Sequence, residues 1–259
     1  MLPFAEVFGI KIPMFGICSA LGMFFAIILA IYRVKINGGD CDLLITVSAC
    51  SFILVLCGAV LTFYIKTYGI IRLIQEIKAG NYQGFQSPGM VFYGGLVGGI
   101  LGFCLAAYFF HIDFSLYVNA IVPCVPLGHA FGRIGCLLAG CCYGRHYEGM
   151  LAVHSGFAAG ETLFPIQAVE AIYNLLLFLF LIRFTKKDRT GLQSLSMYIL
   201  LYSIARIFFE FFRGDSTRLV INNLTISQWF SILLFITFGF VYFFCFCFRV
   251  KTDNKNIPL

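Results

Sequence analysis

Seven apolar runs, each about the length of a bilayer-crossing helix, constrain this chain more than any other feature. They occupy residues 13–32, 43–65, 91–110, 116–139, 165–184, 192–212 and 227–248. A hydrocarbon core about 30 Å thick is crossed by about 20 helical residues, and backbone in lipid must satisfy its own hydrogen bonds. Runs of this length therefore predict helices. Composition excludes a soluble alternative: only 12% of the 259 residues are charged and 60% are hydrophobic. A water-exposed shell needs about 25% charge. The expected fold is an all-α polytopic membrane protein with about seven transmembrane helices, read as a single integral membrane domain over residues 1–259. The third run is rich in glycine, and the fourth contains Pro123 and Pro126.

Basic residues in the links set the orientation. With seven spans, Arg33 and Lys35, then Arg183, Lys186, Lys187 and Arg189, then Arg249, Lys251 and Lys255 fall on one side in short, dense clusters. Lys11, Lys66, Arg72, Lys78, Arg145, Arg213 and Arg218 are spread thinly on the other. The N-terminus is therefore expected outside and the C-terminus in the cytoplasm. The net charge of +6 is largely this topology signal, so nucleic acid is not an expected partner. The N-terminus has no basic leader region or small-residue cleavage site, so the first span is expected to be retained. Cys18, Cys50, Cys57, Cys104, Cys124, Cys245 and Cys247 sit in apolar runs as small hydrophobes, which implies no disulfide framework.

Two stretches between runs are long enough to matter. Residues 66–89 include Ile70, Leu73, Ile74 and Ile77 at helical spacing, predicting an amphipathic arm on the outer side. Residues 145–164 form a polar outer-side loop with His146, Glu148, His154 and Glu161. Both suit a cover over an outward-facing cavity, and both equally suit plain solvated connections.

Four ionisable residues lie in or at the edge of the runs: Arg133, Glu170, Arg206 and Glu210. An arginine at membrane depth costs about 2.5–3.5 kcal/mol on insertion scales, so it calls for an anion, a carboxylate or a wet cavity. Arg206 and Glu210 share a helix face at i and i+4, with Arg213 one turn on. That face is either a self-satisfied structural pair or part of an anion site. Arginine without lysine favours planar, bidentate recognition, and the anion available in a bilayer is a phospholipid headgroup. Gly94, Gly98 and Gly102 repeat every four residues beside the row Gly95 and Gly99, and Gly128 and Gly132 repeat likewise. This spacing lets membrane helices approach closely. Gly94 and Gly95 follow Tyr93 at the start of the third run, where lipid or substrate would enter.

The segment Gly132-Arg-Ile-Gly-Cys-Leu-Leu-Ala-Gly-Cys-Cys-Tyr-Gly-Arg145 resembles the signature of the prolipoprotein diacylglyceryl transferases, Gly-Arg-Ile-Gly-Asn-Phe-x-Asn-Gly-Glu-x-x-Gly-Arg. Phe92-Tyr-Gly-Gly-Leu-Val-Gly98 is similar to the family's Phe-His-Gly-Gly-Leu-x-Gly, and Pro165-Ile-Gln-Ala-Val-Glu170 to Pro-Ser-Gln-Leu-Tyr-Glu. Arg206-Ile-Phe-Phe-Glu-Phe-Phe-Arg213 and Leu224-Thr-Ile-Ser-Gln228 match two further motifs in order and spacing. The resemblance implies a bacterial plasma-membrane transferase with its active site toward the outer side and no metal or organic cofactor. It would move a diacylglyceryl group from phosphatidylglycerol to the lipobox cysteine of a preprolipoprotein, recognised through its signal peptide. Arg133 and Arg206 would hold the phosphate, Glu210 would orient Arg206, and Tyr93 would hydrogen-bond near the reacting centre. Gly94, Gly95, Gly144, Cys136 and Cys141 would line the substrate.

The chain departs from the family at four polar positions. Tyr93 stands for a His, Phe15 for a Tyr, Cys136 for an Asn and Cys141 for a Glu. A phenol with pKa near 10 is a poor base at neutral pH. Two other readings therefore stay open: a phospholipid-dependent transferase with another acceptor, and a non-catalytic phospholipid-binding membrane protein. Cys136, Cys141 and Cys142 read as small packing side chains, as a redox or covalent pair, or as a soft-metal site, for which Cys-x4-Cys-Cys is weak evidence. His129, one turn before Arg133, is a substitute base or a structural histidine. For the orientation, a cytoplasm-active fluorescent reporter fused to the C-terminus is expected to be bright and an export-dependent phosphatase fused there inactive. The opposite pair of results inverts the topology.

Overall fold

A computed structural model describes residues 4–7, 10–69, 75, 78, 92–154, 162–186, 189–214 and 220–253. Each expected run falls on helix: α1 (Met14–Ile36), α2 (Cys41–Tyr68), α3 (Phe92–Phe109), α4 (Phe114–Ile121), α5 (Cys124–Ala139), α6 (Ile166–Phe184), α7 (Gly191–Glu210) and α8 (Ile226–Asp253). Three short antiparallel ribbons accompany them: β1 (Phe4–Val7) with β2 (Ile10–Pro13), β3 (Val153–His154) with β4 (Thr162–Leu163), and β5 (Val220–Ile221) with β6 (Leu224–Thr225). Among the described residues, six stretches are long and apolar enough to cross a bilayer, α4 and α5 together forming one of them. The expected third span is α3, whose described apolar stretch is shorter, Val97–Phe109. Large apolar side chains such as Tyr108, Leu176, Phe240 and Phe243 point outward from these helices. Apolar surface on this scale suits lipid rather than water. The protein is an all-α polytopic membrane protein.

The helices fall into two compact units, one of residues Met1–Ile36 with Ser115–Leu259 and one of Asn37–Phe114. In the second, α2 and α3 pack through glycine. A Cβ at Gly94 would meet the carbonyl of Gly58 and the hydroxyl of Thr62, and one at Gly98 would meet the carbonyl of Leu54. Without a hydrophobic drive between helices in lipid, close van der Waals contact holds such a pair. The side chain of Asp40 caps α2 by accepting from the N–H groups of Asp42 and Leu43. The amphipathic arm expected within 66–89 lies outside the described residues, apart from the end of α2, Gly69, Gln75 and Lys78.

In the larger unit, α1 packs on α5. A Cβ at Gly22 would lie 2.6 Å from Phe131 Cβ and 3.0 Å from the Gly128 carbonyl, and one at Gly135 would lie 3.1 Å from Phe15 Cα. Pro123 breaks the fourth run into α4 and α5. Proline lacks an N–H and its ring crowds the carbonyl four residues back, which here belongs to Asn119. A carbonyl released at membrane depth needs a new partner, and Arg33 supplies it. Its guanidinium donates to Asn119 O at 2.9 Å, to Ala120 O at 3.1 Å and to Thr185 Oγ1 at 2.8 Å. Arg33, read from the sequence as a link charge, is thus a buried tie in the last turn of α1.

Two motifs turn out to be helix starts. Thr190 and Gln193 form a reciprocal capping box on α7. Thr225 and Gln228 do the same ahead of α8: Thr225 N donates to Gln228 Oε1 at 2.9 Å, and Gln228 N donates to Thr225 Oγ1 at 3.3 Å. The glycine packing of α2 and α3 yields a direct expectation. Gly98→Ala should lower stability in detergent by about 1–3 kcal/mol through overpacking against backbone. Gly95→Ala, whose nearest neighbours would be 3.4–3.5 Å away, should leave the thermal midpoint nearly unchanged.

Candidate phosphate-binding site

Three helices of the larger unit carry the ionisable residues into one cluster. Helix α5 brings His129 and Arg133 one turn apart, α6 brings Gln167 and Glu170, and α7 brings Tyr202, Arg206 and Glu210. Glu170 lies between the two arginines. Its Oε2 is 2.6 Å from Arg133 Nε, and its Oε1 accepts from Arg206 Nη1 at 3.3 Å. Arg206 Nη2 reaches Glu210 Oε2 at 3.0 Å across one turn of α7. The carboxylates are only 3% exposed at the residue level. The order Arg133–Glu170–Arg206–Glu210 alternates in sign, so two positive and two negative groups sum to zero and the membrane interior holds no net charge there.

Around this chain of charges lie further polar contacts. The Nε–H of Arg133 is directed at His129 Nε2, 3.3 Å away, and the His129 ring lies against Tyr202 with centroids 5.4 Å apart. The ring nitrogen that would serve as a substitute base is therefore occupied by a guanidinium proton. Asn174 Nδ2 donates to the Glu170 carbonyl at 2.7 Å, bracing α6 one turn below the carboxylate. Beside Arg133, the Cβ direction of Gly132 meets no atom within 4 Å. This leaves open space on α5 at the residue before Arg133. Arginines held in place by carboxylates are preorganised donors for an oxyanion.

The rest of the signature leaves α5 through a left-handed cap at Gly140, with φ 78°. Gly is the residue that takes this conformation without strain. Cys141 N then bonds back to Cys136 O at 3.1 Å, and Gln167 Nε2 holds the Cys141 carbonyl at 2.8 Å. Beyond it the chain runs antiparallel to the end of α7: Arg145 N donates to Phe212 O at 2.9 Å, and Gly214 N to Tyr143 O at 3.0 Å. Gly144 pairs with Arg213 there, and a Cβ at Gly144 would collide with the Phe164 carbonyl. The described parts of the loop expected at 145–164 are tied down by this crossing and by the β3–β4 ribbon.

The structure thus brings Arg133, Arg206 and Glu210 together as one cluster, and places Cys136, Cys141 and Cys142 with their sulfur atoms within 4.8 Å of one another. Hydrogen bonds from the Cys136 and Cys141 thiols pull the Cys142 pKa below its ordinary value, and Arg213 and Arg133 add to this against the opposing effect of burial. Tyr93, Gly94 and Gly95 belong to the α2–α3 unit, where Gly94 and Gly95 face α2. Glu170 is the residue that sequence reasoning left out of the site. It was visible as an acidic group in an apolar run, but its partners sit on two other helices, and no spacing along the chain reports that.

The chain matches the family model for prolipoprotein diacylglyceryl transferase over residues 3–245. It is 32% identical over 235 residues to phosphatidylglycerol–prolipoprotein diacylglyceryl transferase 2 of Clostridium perfringens, covering 89% of this chain and 90% of that protein. It is 33% identical over 241 residues to the phosphatidylglycerol–prolipoprotein diacylglyceryl transferase of Clostridium tetani, covering 92% and 94%. The corresponding protein of Clostridium novyi is 27% identical over 267 residues, covering 97% and 95%.

Removing one partner of a buried ion pair costs about 3–5 kcal/mol because a charge is left uncompensated. Glu170→Gln leaves Arg133 without its carboxylate and Arg206 with Glu210 alone, and is expected to lower the thermal midpoint in detergent more than Glu210→Gln. Equal midpoints for the two variants would contradict the bridging role.

Proposed function

The chain belongs to the prolipoprotein diacylglyceryl transferase family, and from that premise we propose that it moves a diacylglyceryl group from phosphatidylglycerol to the lipobox cysteine of a preprolipoprotein. The observation that carries this reading is the pair of arginines held by Glu170 beside the open space at Gly132. In the reaction, the acceptor sulfur forms a bond to the terminal glyceryl carbon of the donor. The bond from that carbon to the phosphate oxygen breaks, and glycerol phosphate leaves with the electron pair. Negative charge grows on the phosphate as this bond lengthens. Arg133 and Arg206, already oriented, stabilise that charge without having to reorganise.

Glu210 and Glu170 act as positioning groups: each carboxylate fixes the plane of a guanidinium. Both carboxylates are engaged by guanidiniums, so neither is assigned the proton of the acceptor thiol. Cys136, Cys141 and Gly144 line the substrate. The signal peptide of the acceptor docks from the bilayer. The site opens toward the outer side of the plasma membrane, with the N-terminus outside and the C-terminus in the cytoplasm. Support for this orientation comes from the dense basic links on the opposite side.

Purified protein given headgroup-labelled phosphatidylglycerol and a lipobox peptide is expected to release labelled glycerol phosphate and to yield a peptide heavier by one diacylglyceryl group. Arg133→Gln should reduce the rate by about 10²–10³, the size of effect seen when one preorganised donor to a developing oxyanion is lost. Release of glycerol phosphate without peptide lipidation would move the acceptor to another molecule. Lipid binding that depends on Arg133, with no covalent product from any acceptor, would leave only the binding role.

A further inference from the structure

The three thiols at the end of α5 lie outside the charge cluster, and although Cys136 and Cys141 line the proposed substrate path, no thiol of the trio has a step of its own in the transfer. Their arrangement is nonetheless built. Cys136 is buried in the last turn of the helix, Cys142 is half-buried and Cys141 is exposed at the mouth of the group. Gly140 and Cys142 both take left-handed backbone, at φ 78° and 55°. For a cysteine this is an uncommon conformation, sustained only where surrounding contacts hold it. Those contacts are present: Gln167 from α6 grips the Cys141 carbonyl, and Tyr143 and Arg145 are paired with the end of α7. Among the described residues, this is the only group of three metal-ligating side chains within mutual reach.

We propose that Cys136, Cys141 and Cys142 form a three-thiolate site for a single soft d10 cation, Cu+ or Zn2+. Metal–sulfur bonds of about 2.3 Å place three ligand sulfurs about 4 Å apart. The three Sγ atoms already lie within 4.8 Å of one another, so side-chain rotations of under about 1 Å would close the site. Thiolate ligands select this class of ion over the hard oxygen-seeking cations. Charge agrees as well. Three thiolates around Cu+ or Zn2+ keep a negative surplus, and the Arg213 guanidinium neighbouring Cys142 reduces its cost. The exposed Cys141 gives an entry path, and a fourth position is open to water or an external ligand. The spacing Cys-x4-Cys-Cys alone is a weak metal signature, and the sequence implied no metal. The folded turn after Gly140 is what gathers the ligands.

The test of this site reads metal rather than turnover, so its failure and that of the transferase reading are distinguishable. The full-length protein in detergent, reduced and freed of reductant under anaerobic conditions, is titrated separately with Cu+ and Zn2+ against a chromophoric chelator. One ion of at least one of these metals is expected per chain. Bound metal should protect Cys136, Cys141 and Cys142 from maleimide while Cys57 stays reactive, as mapped by mass spectrometry. Displacement of one metal by the other identifies the preferred ion. Cys136→Ser and Cys142→Ser should each weaken binding at least tenfold at an unchanged melting midpoint, and Cys57→Ser should not. The footprint on the unsubstituted protein stands even if a serine variant fails to fold. Absence of stoichiometric binding by both ions overturns the proposal. So does an unchanged maleimide pattern, or a disulfide within the trio when thiols are blocked during anaerobic lysis.

Discussion

Glu170 is the group on which the functional centre depends. A single carboxylate on α6 neutralises Arg133 from α5 and Arg206 from α7, so three helices meet at one charge-balanced point. In water such a bridge would contribute little. Within a bundle surrounded by lipid, each guanidinium needs a partner, and the geometry that satisfies both leaves them fixed in space. The same constraint that makes the charges tolerable makes them preorganised for an anion. Under the proposed function, stability and anion binding are therefore not separable at Glu170, because it holds both guanidiniums.

A second polar problem is solved in the same way at the far end of α1. Pro123 interrupts the fourth span, and the carbonyls of Asn119 and Ala120 receive the Arg33 guanidinium. Both cases follow from the absence of water in the hydrocarbon core, which forces every exposed donor or acceptor to find a protein partner. Elsewhere the bundle avoids polar groups and relies on close approach, with Gly22 against Phe131 in one unit and Gly98 against Leu54 in the other. The resemblance to the family is strongest where these physical demands coincide. Thr225 and Gln228 form a capping box, Gly144 permits two segments to cross, and Arg213 pairs with Gly144 in that crossing.

Two of the four departures follow Arg133 in one segment. Where the family signature has Asn and Glu, this chain has Cys136 and Cys141, with Cys142 adjacent. The backbone path that would present those polar groups now presents thiols, held by the left-handed turn at Gly140 and by Gln167. Arg133 and the thiol turn are consecutive parts of one segment, yet they suit different chemistry: a guanidinium suits a hard oxyanion, thiols suit soft ligands.

Much of the fold was legible beforehand. The apolar runs predicted the helices because length and hydrophobicity alone decide what can span a bilayer, and Pro123 marked the break in the fourth. The i, i+4 pair Arg206 and Glu210 could be read because both residues lie on one helix, where spacing is geometry. Arg133 and Arg206 stood out as charges that required an anion. The sequence could not say that the anion between them is Glu170, that Arg33 is a buried tie rather than a link charge, or that three thiols converge. Those facts depend on which helices are neighbours and on how each is rotated. Helix periodicity reports a face, while only the packed bundle decides what that face meets.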